Sequence, residues 1–147
     1  MQNLNYIKIP IYLFLISFIS AYYFSGQAVS ATGSHGVVLQ VSEADPKVWN
    51  LALNIAENAP KNVDYPLKVS VIAFGPGLQM LKMDSKVANR LEKVAASGVE
   101  FRACGMTMKK LKMKDEDLYP NHRIQRVDGG VIEIMRLHRA GWTYIKP

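Results

Sequence analysis

Short runs rich in apolar and β-branched residues recur along the chain and predict strands. Residues 35–41 (HGVVLQV) and 67–74 (LKVSVIAF) are dense apolar runs, which is the pattern of buried strands. Residues 99–104 (VEFRAC) alternate apolar and polar positions instead. Residues 122–127 predict a fourth strand, and residues 142–145 predict a short last one.

Between these runs lie segments in which apolar residues recur at helical spacing. Asp45 followed by Pro46 is typical of an N-cap with proline at the first helical position, and Pro60 ends that helix. Its predicted buried stripe consists of Trp49, Ala52, Leu53 and Ala56. Residues 78–83 predict one helical turn. Asp84 or Ser85 is the expected cap of a second helix.

The second half of the chain continues this alternation. The apolar face of the second helix consists of Val87, Leu91, Val94 and Ala95, and Gly98 ends that helix. A short polar helical segment is expected between Cys104 and Pro120, and residues 131–139 predict a helix closed by Gly141. Strands that alternate with helices imply βαβ units, and therefore a mainly parallel sheet with helices on both faces.

The first 31 residues have a different character. Lys8 precedes an almost wholly apolar stretch at residues 9–24, and small residues follow up to Ala31. This is the pattern of a signal peptide, with cleavage after Ala28 or after Ala31. The alternative is an uncleaved membrane anchor, because the run is near the lower limit of about 17 residues for a spanning helix. In either case we expect residues 32–147 to form one domain that is periplasmic or otherwise exported.

Composition excludes several function classes. The net charge is +6, but basic and acidic residues are mostly interspersed, so nucleic-acid binding is not implied. One cysteine cannot form an intramolecular disulfide. The three histidines, His35, His122 and His138, are too scattered for a metal motif, so we expect neither a metal nor an organic cofactor.

Cys104 is the principal candidate for chemistry. The alternation of its strand places the thiol on the face of Glu100 and Arg102 rather than with the apolar side chains. Gly105 allows a sharp turn that leaves the sulfur approachable, and N–H groups near Met106 and Thr107 would favour a thiolate. A thiolate can accept sulfane sulfur or attack an electrophile. The competing interpretation is a small, buried and inert side chain.

Other candidates carry simpler explanations. The lysine run is either a solvated helix face or an anion site, and consists of Lys109, Lys110, Lys112 and Lys114. The loop at residues 75–77 (GPG) is a structural turn or a weak phosphate cradle. Trp49 and Trp142 are expected in the core or at a subunit interface. His122, His138 and Glu133 are weak acid–base candidates, and a solvated helical glutamate is the simpler interpretation of Glu133.

Five segments in the same order resemble the DsrE/DsrF-like family. They are QVS at residues 40–42 with WNLALN at 49–54, AFGPG at 73–77, GVEF at 98–101 with ACGMTM at 103–108, GVIEI at 130–134, and GWTYIKP at 141–147. The resemblance implies a three-layer α/β/α sandwich with a sheet of about five strands. It also implies assembly into trimers or hexamers and, in some members, a cysteine that carries sulfur as a persulfide. Those relay members work in the cytoplasm, whereas this chain begins with an export segment.

The leading hypothesis is a sulfur-handling protein in which Cys104 carries sulfane sulfur. The expected substrate-binding residues are Gly75, Gly77, Gly105, Thr107, Lys109 and Lys110. The expected partners are further copies of the chain and a sulfur donor or acceptor protein, with a membrane only if the N-terminal segment stays uncleaved. The alternatives are a non-catalytic assembly module with an inert cysteine, and a small-ligand or nucleotide binder using residues 75–77.

Overall fold

The computed structural model describes residues 36–119 and 123–147, so the predicted signal peptide or anchor at residues 1–31 lies outside the described residues. The strands and α-helices of the described part are β1 (Gly36–Val41), α1 (Pro46–Asn58), β2 (Lys68–Ala73), α2 (Ala88–Ala96), β3 (Glu100–Cys104), α3 (Gly105–Leu111), β4 (Ile124–Val127), α4 (Gly130–Arg139) and β5 (Thr143–Ile145). Each predicted strand is confirmed, although His35 and His122 at two of the predicted ends lie outside the described residues.

The strands form one parallel sheet in the order β4-β3-β2-β1-β5. One face packs against α1, α2 and the buried Met108 of α3, and its apolar cluster includes Leu39, Val71 and Phe101. The other face packs against α4 through a smaller cluster, which contains Val38, Ile72, Ile134, Leu137 and Trp142. The predicted α/β class, with helices on both faces of a parallel sheet, is therefore confirmed.

Local signals place most helix ends correctly. Asp45 is the N-cap of α1, and its Oδ1 accepts a hydrogen bond of 2.8 Å from the N–H of Lys47. Gly98 and Gly141 follow α2 and α4 with φ angles of 95° and 90°, the left-handed conformation that favours glycine after a helix. Trp49 and Trp142 are both buried, in agreement with the prediction that they are core residues.

Two local predictions need correction. The turn expected at residues 78–83 is a 3-10 helix that begins earlier, at Gly75–Leu81. Neither Asp84 nor Ser85 is the N-cap of α2, because a turn separates them from the start of the helix, and the Ser85 hydroxyl accepts a 3.3 Å hydrogen bond from the Val87 N–H within that turn. The cap is Val87, which makes no side-chain cap hydrogen bond.

None of the helices in the described residues is long and apolar enough to cross a membrane.

Candidate functional site

Cys104 lies at the point where two neighbouring strands send their helices to opposite faces of the sheet. It is the last residue of β3, and its register partner Val127 is the last residue of β4. The helix after β3 contributes Met108 to the larger cluster, whereas the helix after β4 contributes Ile134 to the smaller one. In open parallel sheets, such a switch point creates a crevice beyond the carboxyl ends of the strands, where ligands bind.

The thiol is covered but lies among polar groups. Cys104 is 4% exposed, so Gly105 does not leave the sulfur as open as the sequence suggested. Among the described residues, Cys104 belongs to neither of the two apolar clusters. The groups that act on the thiol through hydrogen bonding are polar, and they are the Thr107 hydroxyl and the N–H groups of Gly130, Thr107 and Met106, which lower its pKa. Donors from the chain after β3 and from the start of α4 therefore act on one thiol.

These donors lower the pKa of the Cys104 thiol. Burial is the largest influence and by itself raises the pKa, because it removes water from the thiolate. The Thr107 hydroxyl, followed by the three N–H groups, more than offsets burial, and the pKa lies below its ordinary value. Because the thiolate is the nucleophilic form, the folded protein holds more of the reactive species at neutral pH than a free cysteine would.

The loop at residues 75–77 supports this arrangement. The N–H of Gly75 donates a 3.0 Å hydrogen bond to Oγ1 of Thr107. Since that oxygen accepts from Gly75, its own hydrogen can be directed at the sulfur of Cys104. The end of β2, the start of α3 and the end of β3 are thereby linked in one chain of hydrogen bonds.

Replacing Thr107 with valine is expected to slow alkylation of Cys104 at neutral pH by about three-fold to ten-fold. One net hydrogen bond contributes about 0.5–1.5 kcal/mol, and its loss raises the pKa of the thiol. The measurement is the iodoacetamide labelling rate of the native protein as a function of pH. Thr107→Ser keeps the hydroxyl and is the matched control. A labelling profile for Thr107→Val that coincides with the wild-type profile would contradict the assignment.

The remaining predicted site residues divide into two groups. Gly77 contacts backbone rather than ligand space, because its N–H donates to the carbonyls of Ser42 and Phe74, each at 3.1 Å. Gly105 is close to β4, since a Cβ there would lie 3.0 Å from the carbonyl oxygen of Val127. Lys109 and Lys110 are exposed on α3, as are Lys112 and Lys114 beyond it, which confirms a solvated lysine run.

The loop amides at residues 75–77 are poorly available to a phosphate. The N–H of Gly75 is used by Thr107, the N–H of Gly77 is used by two carbonyls, and Pro76 has none. The structural turn favoured by the sequence therefore accounts for this loop.

A buried ion-pair network is the feature that sequence reasoning missed. Arg102, two residues before Cys104, contacts Oε1 of Glu133 in α4 and bonds to Oε2 of Glu100 at 2.7 Å. The side chain of Glu133 is only 13% exposed and also bonds to Arg136 at 2.7 Å, so the prediction of a solvated Glu133 is wrong. The alternation of β3 did place Arg102 on the face of Cys104, but it gave no sign that α4 would cover that face.

Metal ligands and acid–base groups are sparse around the thiol. Within residues 36–119 and 123–147, no group of three or more His, Cys, Asp or Glu side chains is arranged to hold a metal ion. His138 is exposed on α4, and His35 and His122 lie outside the described residues.

Comparison with known proteins identifies the family of the chain. The profile of the DsrE/DsrF-like family matches residues 35–147, which include every described strand and helix. The chain belongs to the DsrE/DsrF-like family. The resemblance inferred from the five sequence segments is confirmed. DsrE/DsrF-like membership suggests a role in sulfur relay, the function class to which the cysteine segment pointed.

Two solved structures share the DsrE-like fold. MTH1491 from Methanobacterium thermoautotrophicum, a protein of unknown function, is 27% identical with a TM-score of 0.72, and the match covers 77% of this chain and 99% of that one. BT1422 from Bacteroides thetaiotaomicron, a conserved protein of unknown function, is 15% identical with a TM-score of 0.56, covering 80% and 98%. The latter likeness is evidence for the fold alone. The search of curated proteins found no significant match.

Proposed function

We propose that this DsrE/DsrF-like chain is a sulfur carrier that holds sulfane sulfur as a persulfide on Cys104. The observation that carries the proposal is the position of Cys104 at the switch point of the sheet, next to a Thr107 hydroxyl that Gly75 orients. The Thr107 hydroxyl and nearby N–H groups lower the pKa of the thiol, which supports the same role. Family membership supports the same function class. No metal or organic cofactor is required.

The proposed loading step is a thiol exchange. The Cys104 thiolate attacks the outer sulfur of a protonated donor R–S–SH, the donor's S–S bond breaks, and a new S–S bond forms, which leaves Cys104 as Cys–S–SH. The leaving R–S⁻ takes the electron pair of the broken bond and one proton from water. Cys104 is oxidised from a thiol to a persulfide while the donor is reduced from a persulfide to a thiol, so no external oxidant is needed. Unloading is the same reaction with an acceptor thiolate.

The surrounding groups have distinct proposed roles. The Thr107 hydroxyl and the converging N–H groups stabilise the anionic sulfur before and after loading. Gly75 orients Thr107, while Gly77 and Gly105 allow the close backbone approaches on which the site is built. Lys109 and Lys110 add positive charge beside the site and favour anionic sulfur species.

The test is mass spectrometry of the full-length chain after incubation with polysulfide or thiosulfate. We expect a mass increase of one sulfur atom that is absent in Cys104→Ser and is removed by a reducing thiol. Because the chain contains a single cysteine, the added sulfur can be assigned without peptide mapping. An unchanged mass with every donor would exclude the carrier function.

The burial of Cys104 favours a second candidate function, a non-catalytic assembly module. At 4% exposure the thiol would then be an inert part of the interior. Labelling of the native protein separates the two functions. Labelling that begins only after denaturation supports the module, whereas labelling in the native state at a pH below that of free cysteine supports the carrier.

Assembly and cellular location are further parts of the proposal. Apolar side chains exposed on α4 support a homo-oligomer, a trimer or hexamer in this family, and they are Val131, Ile132 and Met135. The sulfur donor or acceptor would be a separate protein or a small thiol. The apolar segment at residues 9–24 supports export, with a membrane contact only if that segment remains attached.

A further inference from the structure

An open groove of about 420 Å³ adjoins Cys104 on the side of α3 and β4. Its backbone border is formed by Gly105 and Met106, the two residues that follow Cys104. Three methionines border it, Met106, Met108 and Met113, of which Met108 is 1% exposed and belongs to the larger cluster. The charged residues that line the groove are Lys109, Arg126 and Asp128. The volume lies in the range of roughly 300–1,000 Å³ that is typical of sites for organic ligands.

One peptide group connects the groove to the sulfur. The N–H of Met106 donates to the carbonyl of Asp128 at 3.1 Å and is also one of the groups that lower the pKa of the Cys104 thiol. Both Met106 and Asp128 line the groove. A ligand held at this end of the groove would therefore have its reactive atom beside the backbone that stabilises the thiolate.

The charges of the groove are of both signs and are largely available. Lys109 and Asp128 are exposed. Arg126 contacts Asp115 at 3.6 Å, but both side chains are more than half exposed, so that pair is weak and can be exchanged for a ligand. Two cations and one carboxylate around thioethers complement a ligand with a carboxylate, an ammonium and a short apolar stem.

We propose that the groove binds an amino-acid-derived persulfide, that of cysteine or of a short cysteinyl peptide, as the sulfur donor. This inference rests on the proposed carrier function. Lys109 and Arg126 bind the carboxylate, Asp128 binds the ammonium, and the methionines contact the stem. The Cys104 thiolate attacks the outer sulfur of the bound, protonated R–S–SH, and the S–S bond of the donor breaks. Cys104 keeps that sulfur with its hydrogen, and the amino-acid thiolate leaves with the electron pair and takes a proton from water.

An inorganic donor fits the groove less well. Thiosulfate and polysulfide have no ammonium for Asp128, and the carboxylate repels them. They also have no apolar stem for the three methionines.

The experiment measures the initial rate of Cys104 persulfide formation in the full-length chain against donor concentration. The donors are the persulfides of cysteine, of mercaptopropionate, which lacks the ammonium, and of cysteamine, which lacks the carboxylate. With cysteine persulfide, Lys109→Ala/Arg126→Ala is expected to raise the half-saturating concentration about ten-fold, the loss of one charge-assisted contact. Lys93→Ala is the control, because Lys93 is an exposed lysine of α2 that does not line the groove.

The role of the Asp128 carboxylate is tested by comparing donors with and without an ammonium. Asp128→Asn is expected to raise the half-saturating concentration of the two donors that carry an ammonium, the persulfides of cysteine and cysteamine. The half-saturating concentration of mercaptopropionate persulfide, which has no ammonium, is expected to stay unchanged or to fall. All the substituted side chains are exposed, so the fold is expected to persist, and Lys109→Ala alone provides a milder variant.

The outcomes separate this inference from the proposed function. If all donors load Cys104 equally well in the groove variants and in Lys93→Ala, the groove assignment is overturned and the carrier function stands. If thiosulfate alone loads the protein, the carrier function again stands without an amino-acid donor. If no donor loads Cys104, both proposals fail.

Discussion

Replacing Gly77 with alanine is expected to lower the free energy of unfolding by about 3 kcal/mol, the upper part of the range for overpacking a buried site. A Cβ at this position would lie 2.3 Å from the carbonyl oxygen of Val41 and 2.8 Å from the backbone N of Ser42. Both are backbone atoms of the segment that ends β1, so neither can move aside as a flexible side chain would. The measurement is the urea midpoint of the full-length chain at unchanged m-value.

Gly129→Ala provides the matched control for this substitution. A Cβ there would meet only the ends of flexible side chains, Cδ1 of Ile132 at 3.1 Å and Sδ of Met106 at 3.4 Å. Its expected cost is below about 1 kcal/mol, and it includes the modest preference for glycine over alanine at an N-cap. Equal midpoints for Gly77→Ala and Gly129→Ala would mean that the loop does not approach β1 as described.

Removing the charge of Glu133 is expected to destabilise the fold by about 3 kcal/mol, as for other buried ion pairs that lose one partner. In Glu133→Gln the guanidinium of Arg102, whose side chain is 10% exposed, keeps Glu100 as its one charged partner in the described residues. The Nε of Arg102 is buried and already lacks a hydrogen-bond partner in that part of the chain, so the site has little capacity to compensate. Chemical denaturation monitored by circular dichroism measures the loss.

Two further variants identify the cause of that loss. Arg136→Ala removes only the exposed partner of Glu133 and is expected to cost less than about 1 kcal/mol. The double variant Arg102→Met/Glu133→Leu removes both buried charges and is expected to be more stable than Glu133→Gln, because apolar replacement of a buried pair is often neutral. If the double variant is the least stable of the three, the network contributes more than the avoidance of an unpaired charge.

The same ion pair has a consequence for the thiol. It joins β3, which ends at Cys104, to the first turn of α4, which begins at Gly130, whose N–H lowers the pKa of the thiol. Glu133→Gln is therefore expected to move the alkylation profile of Cys104 to higher pH as well as to lower stability. Arg102 and Glu133 act as positioning residues, and a purely structural role would leave the profile unchanged in the folded population.

Regular patterns along the chain were sufficient to determine its architecture. Each strand is a short apolar or alternating run, and the buried residues of α1 and α2 are the ones that the helical spacing selected. Caps and terminating glycines are short-range devices, so Asp45, Gly98 and Gly141 were also predictable. The cap of α2 was not, because a turn between Ser85 and Ala88 separates the predicted capping residues from the start of the helix.

The site was only partly predictable, because some of its contacts are between segments that are distant in the sequence. The position of Cys104 at a strand end, and of Thr107 and Gly75 near it, follows from the order of elements. Three features of the site join segments that lie 19 to 31 residues apart in the sequence. They are the effect of the Gly130 N–H on the thiol, the burial of Glu133 against Arg102, and the groove between Lys109 and Asp128. Contacts of that separation depend on the face that each helix covers, which local spacing does not encode. Local patterns thus specify the scaffold and the position of its cysteine, whereas the packing of α3 and α4 against the sheet specifies which donors and charges surround that sulfur.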